Sequence, residues 1–382
     1  MIGATVPMTG SESKAGNMYK DGIQLAFDQL SAAGGLQIGG QRVPVELRLL
    51  DDESKGENAT KLVEKLVQEG ADFLISTYST ALVEPQSAVA ERLRVPYLAG
   101  AASATPLYER GFKYLFGLQS PVDELANALL RYIDDAQRAG KLPSPMRLAL
   151  VWENTSHGKD FRSGVHEFAT KTPSRRSSYQ IVLDESFELN TKDFKPLLSR
   201  VQSAKAHALL ADAHLPDYIA MHKQYLASGM CLKIVTYGAR GSEKEAVAAL
   251  PPHGTDYVLS AVWWNAQLGA KGLNKDFVDA FKAKYRRTPE WYPAMGYEAS
   301  RALFTAIEKA GSSDRERVRE ALANLKMESI VPGGYLMFPK EYGYQARYLF
   351  LVQQNQPDGT SPIVFPKIAA TNPGSPANPN CN

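Results

Sequence analysis

The stretch Ile2-Gly3-Ala4-Thr5-Val6-Pro7-Met8-Thr9-Gly10 runs an apolar strand straight into a glycine turn, and a helical pattern follows from Gly16 to Leu30. A hairpin bounded by Gly34-Gly35 and Gly39-Gly40 comes next, then a second strand that closes on the acids Asp51 and Asp52. After another helix, Phe73-Leu74-Ile75-Ser76 opens into the hydroxyl-rich loop Thr77-Tyr78-Ser79-Thr80, and Val95-Pro96-Tyr97-Leu98 opens into Ala101-Ala102-Ser103. Strands thus end repeatedly in small or hydroxyl residues just before a helix begins. In an open parallel sheet this is the end at which ligands bind, because helix N-termini present unpaired N–H groups there.

The same alternation continues along the chain and predicts an α/β protein with mostly parallel sheets. Expected strands in the first unit are 2–7, 43–51, 72–76, 95–99 and 114–118. The helices between them carry i, i+3, i+4 apolar spacing, as in Ala59, Leu62, Val63, Leu66 and Val67. A second run follows: helix 121–139, strand 147–152, helix 158–170, strand 179–184, helix 191–203, strand 207–211, helix 215–227 and strand 232–237. Strand 257–262, helices 274–286, 294–310 and 313–324, and strands 334–338 and 347–352 complete the pattern. Two runs of βα units predict two lobes, each a doubly wound parallel sheet. The expected division is 1–119 with 256–328, and 121–252 with 333–366. A Pro/Asn/Gly/Ser tail, 367–382, is expected to be disordered or draped over the surface.

Composition bounds the function. The chain has 382 residues, enough for two cores, and a formal net charge of +2 from 43 basic and 41 acidic residues. No basic stripe argues for nucleic acid, and no apolar run approaches the ~20 residues that cross a bilayer, so a water-soluble chain is expected. Cys231 and Cys381 are either a bridge in an oxidising compartment or two free thiols, and sequence separation does not decide between them.

Enzyme signatures are missing. No Gly-x-Gly-x-x-Gly follows the first strand, and neither a Walker-type phosphate loop nor a Gly-x-Ser-x-Gly elbow occurs. Histidines at 157, 166, 207, 214, 222 and 253 show no His-Glu-x-x-His spacing, so neither a metal site nor a cofactor is expected. The loops at Thr77-Tyr78-Ser79-Thr80 and Ala101-Ala102-Ser103 offer hydroxyl and backbone donors suited to a carboxylate. Each equally suits an ordinary helix cap or tight turn.

The order of these elements, up to about residue 353, resembles the extracellular solute-binding proteins of the leucine/isoleucine/valine-binding class, which feed ABC importers. The resemblance implies the type I periplasmic binding protein fold: two lobes joined by a three-crossing hinge, near 119–121, 250–256 and 326–334, that close on a ligand in an interlobe cleft. It implies a non-enzymatic, monomeric carrier in the periplasm or another extracytoplasmic space, with a secretory signal already removed ahead of Met1. Its partners would be a small carboxylate and a membrane ABC permease, with no nucleic acid. Two loops hold the ligand's α-carboxylate in that class. Ser103 matches a threonine or serine carboxylate donor, and Tyr78, Ser79, Thr80, Ala101 and Ala102 fall in the two loops.

Departures from the class shape the expected ligand. His157 stands where amino-acid binders usually carry a tyrosine before glycine, and His214, beside Asp212, stands where an aromatic is common. Gly238, following Tyr237, takes the place of the glutamate that neutralises the ligand's ammonium, with Arg240 two residues on. Ala15 replaces a tyrosine, which implies a roomier pocket. A buried ammonium without a carboxylate partner is costly, and Asp212 is the candidate substitute if its side chain points that way. The expected ligand is therefore an organic acid, aromatic for preference, with Tyr78, Tyr237 and one of Trp263 and Trp264 as stacking surfaces; Trp264 is the one placed in the site. The alternatives are a branched-chain amino-acid carrier with a substituted site, a ligand-sensing domain of the amide/amino-acid receptor type, and, least supported, an enzyme on an α/β scaffold.

Overall fold

Strand β1, Ile2–Val6, is buried along its whole length, and in the computed structural model it is an interior strand of a parallel sheet. The structure describes residues 1–268 and 272–381. In chain order, α1 (Ser13–Ala32), the hairpin β2 (Leu36–Ile38) and β3 (Gln41–Val43), β4 (Leu47–Asp51) and α2 (Gly56–Gln68) follow. Next come β5 (Phe73–Ile75), α3 (Thr80–Arg92), β6 (Tyr97–Ala99), α4 (Thr105–Tyr108) and β7 (Leu115–Gly117). The sheet order is β4-β1-β5-β6-β7, parallel at every pairing. The direction of winding reverses between β1 and β5, so the loops leaving those two strands diverge and leave room at their carboxyl ends.

A second sheet repeats the design. Its elements are α5 (Val122–Arg138), β8 (Met146–Glu153), α6 (Ser156–Thr170), α7 (Pro173–Ser178), β9 (Tyr179–Phe187) and α8 (Lys195–Ser203), then β10 (Ala208–Asp212), α9 (Leu215–Ala227), β11 (Ile234–Tyr237), α10 (Lys244–Ala249) and β12 (Leu259–Val262). The chain then runs through α11 (Gly272–Tyr285), α12 (Trp291–Ala310), α13 (Arg315–Ala323) and the antiparallel pair β13 (Lys326–Glu328) and β14 (Tyr335–Met337), all in the first unit. It ends with β15 (Leu351–Gln354) and β16 (Ile363–Phe365), which extend the second sheet antiparallel: β16-β15-β12-β11-β10-β8-β9. Here the reversal lies between β8 and β10.

The two units are Met1–Pro121 with Leu268–Leu349, and Val122–Gln267 with Phe350–Asn382. Three assignments from sequence are corrected. Residues 256–267 belong to the second unit, because β12 pairs with β11 (Thr236 opposite Leu259). Residues 333–349 belong to the first, because β14 pairs with β13 and Gly117 exchanges backbone hydrogen bonds with the 344–346 segment (3.0 and 2.8 Å). The expected tail is part of the second unit: Cys231 and Cys381 form a disulfide, Asn378 N donates to Lys233 O at 2.8 Å, and Gln354 holds Ser375 O at 2.8 Å. Residue 382 of that tail lies outside the described residues. None of the described helices is long and apolar enough to cross a membrane.

Close backbone packing positions the first unit's long helices. A Cβ at Gly22 would sit 1.9 Å from Pro293 O, and one at Gly296 would sit 2.3 Å from Tyr19 O. Only glycine lets α1 and α12 approach so nearly. In the second unit the core collects Val151, Phe194, Leu209, Tyr218, Met221 and Tyr237 between β8, β10, β11 and the helices α8 and α9.

Candidate ligand-binding site

In the first unit the two predicted loops are tied to one another. Ser103 N donates to Thr80 Oγ1 at 3.2 Å, Tyr108 OH donates to Ala102 O at 2.7 Å, and Gly100 N donates to Ser76 Oγ at 3.2 Å. Ala101, Ala102 and Ser103 are all buried. Ser79 stands at the N-cap of α3, and its carbonyl accepts from Leu82 N and Val83 N, but its hydroxyl makes no capping bond. Among the described residues the hydroxyls of Ser79 and Ser103 make no hydrogen bond, although the residues are only 7% and 1% exposed. Two donors and the open N–H groups of α3's first turn are thus presented together, an arrangement suited to a carboxylate.

A buried polar network below fixes the first loop. Thr77 Oγ1 donates to Asp52, Gln86 Nε2 donates to Thr5 Oγ1 at 2.6 Å, and Tyr97 OH donates to Gln86 Oε1 at 2.5 Å. Burial pushes the Asp52 carboxyl up to about 6, against the opposing pull of Thr77 and of Ser54 N. Tyr78 is buried with its ring edge-on to Tyr292 (5.4 Å), and Tyr292 stacks on Trp291 (3.7 Å). Trp291 and Tyr292 open α12 and were not singled out from sequence. Adjacent aromatics before Pro293 at a helix start are the signal that was there to read.

The second unit assembles a cluster at its own reversal point, from the ends of β8 and β10. His157, in the first turn of α6, places Nδ1 2.7 Å from Asp212 Oδ2 and 3.9 Å from Glu153 Oε1. His214, the N-cap of α9, bonds Glu153 Oε2 through Nδ1 (2.5 Å) and through its backbone N (3.1 Å). Thr155 Oγ1 donates to Glu153 Oε1 at 2.8 Å. Burial pushes the Glu153 carboxyl up, but His214, His157 and Arg240 outweigh it and hold the group near 2. Arg240 is 2% exposed, with Nε 3.8 Å from Glu243 Oε1.

The remaining acceptor is informative. Asp212 is fully buried, and its Oδ1 has no hydrogen-bond partner among the described residues. That oxygen faces Gly238: a Cβ built there would lie 2.4 Å from it, and Gly238 sits at φ +59°. A carboxylate therefore occupies the side of β11 where the sequence seemed to lack one.

Two predicted residues fall elsewhere or add little. Tyr237 is core: its ring lies 4.1 Å from Tyr218 and its hydroxyl meets His222 Nδ1 at 3.1 Å. β11 is covered on both faces, so a large side chain at its end is taken up by packing. Trp263 packs on Phe350 at 5.4 Å, and Trp264 is buried. Glu153 was not singled out from sequence, although it closes β8 as Asp212 closes β10. It also brings together a His/Glu/Asp group that no local spacing announced.

Two doubly wound sheets with polar clusters at their carboxyl ends define a class of ligand-capturing proteins rather than any one chemistry. The chain belongs to the periplasmic binding protein family, which it matches over residues 1–360. It is 25% identical, over 97% of its length and 91% of the relative's, to Leu/Ile/Val-binding protein homolog 8 of Brucella abortus. Among solved structures it is similar to a leucine-binding protein from Thermotoga maritima, with TM-score 0.79, 21% identity, and coverage of 95% of this chain and 97% of that one. It is equally similar to an ABC-transporter solute-binding protein from R. palustris in complex with benzoate, with TM-score 0.78, 20% identity, and coverage of 99% and 96%.

Proposed function

We propose that this chain is an extracytoplasmic carrier that captures a small aromatic carboxylate and presents it to an ABC permease, making and breaking no covalent bond. The observation that carries this reading is the pair of hydroxyls of Ser79 and Ser103, on residues only 7% and 1% exposed and with no hydrogen bond among the described residues, beside the first turn of α3. An anion satisfies donors that are otherwise left open. Tyr78, Tyr292 and Trp291 supply a buried aromatic wall in the same unit, suited to a flat ring. The benzoate held by the R. palustris neighbour is a ligand of this description. Ala101 and Ala102 let backbone approach the ligand, while His157, His214 and Arg240 set the polarity of the second unit's cluster.

A second reading, a branched-chain amino-acid carrier, is favoured by Asp212. Its open Oδ1 beside Gly238 offers an ammonium group the acceptor that a glutamate at 238 would have offered. A thermal-shift panel separates the two. Benzoate, hydroxybenzoate, phenylacetate and cinnamate are set against leucine, valine, simple amides and urea. A ligand at ~1,000 times its Kd stabilises the folded state by about 4 kcal/mol. Shifts confined to acids without an α-amine support the first reading, and shifts confined to leucine and valine support the second. A panel in which no carboxylate moves the midpoint refutes both.

A further inference from the structure

We propose that the second unit binds a borderline divalent cation, Zn²⁺ by the chemistry of its donors, through Glu153, His157 and Asp212. One ligand atom from each residue lies within 4.8 Å of the others, and all three residues are buried. One imidazole nitrogen with two carboxylates is a donor set for Zn²⁺ or its neighbours rather than for Ca²⁺ or Mg²⁺, which take oxygen alone. Zinc with bonds of about 2.0–2.1 Å in tetrahedral geometry sets its ligand atoms roughly 3.3 Å apart. The contacts from His157 Nδ1, 2.7 Å to Asp212 Oδ2 and 3.9 Å to Glu153 Oε1, straddle that spacing. Those two separations lie within about 0.6 Å of the tetrahedral spacing, and the third, between the carboxylates, is at most 4.8 Å.

A second observation points to the missing cation. Thr155 Oγ1 and the two histidines account for the other carboxylate oxygens of the cluster, yet Asp212 Oδ1 is buried with no partner among the described residues. Buried acceptors are almost always satisfied. Gly238 keeps that oxygen uncovered, since any Cβ would press on it at 2.4 Å. A cation seated by His157 draws on the open lone pairs of the Asp212 carboxylate as well as on Oδ2.

Metal binding exchanges one contact for another: His157 Nδ1 gives up its 2.7 Å hydrogen bond to Asp212 Oδ2 and presents its lone pair to the cation, with the ring hydrogen on Nε2. Glu153 is held ready from outside by Thr155 Oγ1 at 2.8 Å and by His214 at 2.5 and 3.1 Å, the kind of outer support that orients metal ligands. Three protein donors leave one tetrahedral position open.

The site lies wholly within the second unit, so its test needs no organic ligand. The full chain is stripped with EDTA and titrated calorimetrically with ZnCl₂ at neutral pH, with no acid present. One Zn²⁺ per chain is expected. His157→Ala and Asp212→Asn should each weaken binding by about 100-fold or more, beyond the ~10–100-fold typical of an outer-shell change. His253→Ala, which removes an exposed histidine paired with Asp256, should leave binding unchanged. Absence of one-to-one binding overturns the proposal, as does binding that survives both ligand variants or is lost with His253. Co²⁺ absorption of the wild-type chain guards against variants that fail to fold. Intense bands of four-coordination support the site, and the weak bands of a hexahydrated ion overturn it. The acid panel, run in EDTA, reports separately on the carrier reading.

Discussion

Replacing Gly238 by alanine tests the local architecture of the second unit's cluster. The residue sits at φ +59°, where a side chain costs about 1 kcal/mol, and its new methyl carbon would lie 2.4 Å from Asp212 Oδ1. To reach ordinary contact, the carboxylate must retreat by about 1 Å. Such a movement breaks the 2.7 Å contact of Oδ2 with His157, a charge-assisted bond of about 1.5–3 kcal/mol. The two terms together predict a loss of roughly 2.5–4 kcal/mol. At about 2–4 °C per kcal/mol for a unit of this size, the thermal midpoint should drop by roughly 5–16 °C. The assay is a double-mutant cycle read by urea and thermal unfolding: Gly238→Ala alone, Asp212→Ala alone, and both. With the carboxylate gone, the alanine should cost only the backbone contribution of about 1 kcal/mol. An equal cost of Gly238→Ala in both backgrounds would refute the assignment of Asp212 to the space beside Gly238.

Ser103→Ala and Ser79→Ala should each lower affinity for the bound carboxylate by about 10–100-fold, since a hydrogen bond to a charged group contributes about 1.5–3 kcal/mol. The thermal midpoint should barely move, because neither hydroxyl bonds within the protein; a large loss of stability with unchanged affinity would count against the site. Burial raises the Asp52 carboxyl to about 6 from an ordinary 3.8, so the native state holds the extra proton between those values and this group's contribution falls as pH rises through that window. Asp52→Asn should therefore flatten the fall in stability between pH 4 and pH 7, by up to about 3 kcal/mol, in urea melts. An unchanged slope refutes this reading. Cys381→Ser opens a loop of 150 positions and should cost about 2–5 kcal/mol of unfolding free energy; a midpoint within 2 °C of wild type would show that the bridge adds little.

Local periodicity made the first five strands and most helices readable, because apolar spacing and glycine punctuation act within about ten residues. What escaped reading depends on distant partners. Nothing near Leu259 reveals that it pairs with Thr236 rather than starting a return to the first unit, and nothing in residues 335–337 names 326–328 as their neighbour. The loops at 77–80 and 101–103 can be placed from sequence at the ends of β5 and β6, because hydroxyl and small residues follow each apolar run directly. The direction of Asp212 was not, since it rests on the left-handed turn at Gly238 and on His157 arriving from another strand's helix. Tyr237 misled because a residue at a strand end points either to solvent or to core, and only the packing of Tyr218 and His222 decides. Trp291 and Tyr292 lie more than two hundred residues from Tyr78, beyond any local pattern.

The bridge between Cys231 and Cys381 also sets the mechanical route through the chain. Without it, tension applied at the C-terminus would peel away β16 and β15 first. With it, the load passes across sulfur to Cys231, just beyond the end of α9, and the loop between the two cysteines, β11 included, stays slack. Roughly 500 Å of contour length, at about 3.3–3.6 Å per residue, is hidden from extension until the bond is reduced. A single molecule stretched end to end should therefore lengthen far less under oxidising than under reducing conditions, and the missing length reports the loop that the sulfurs close.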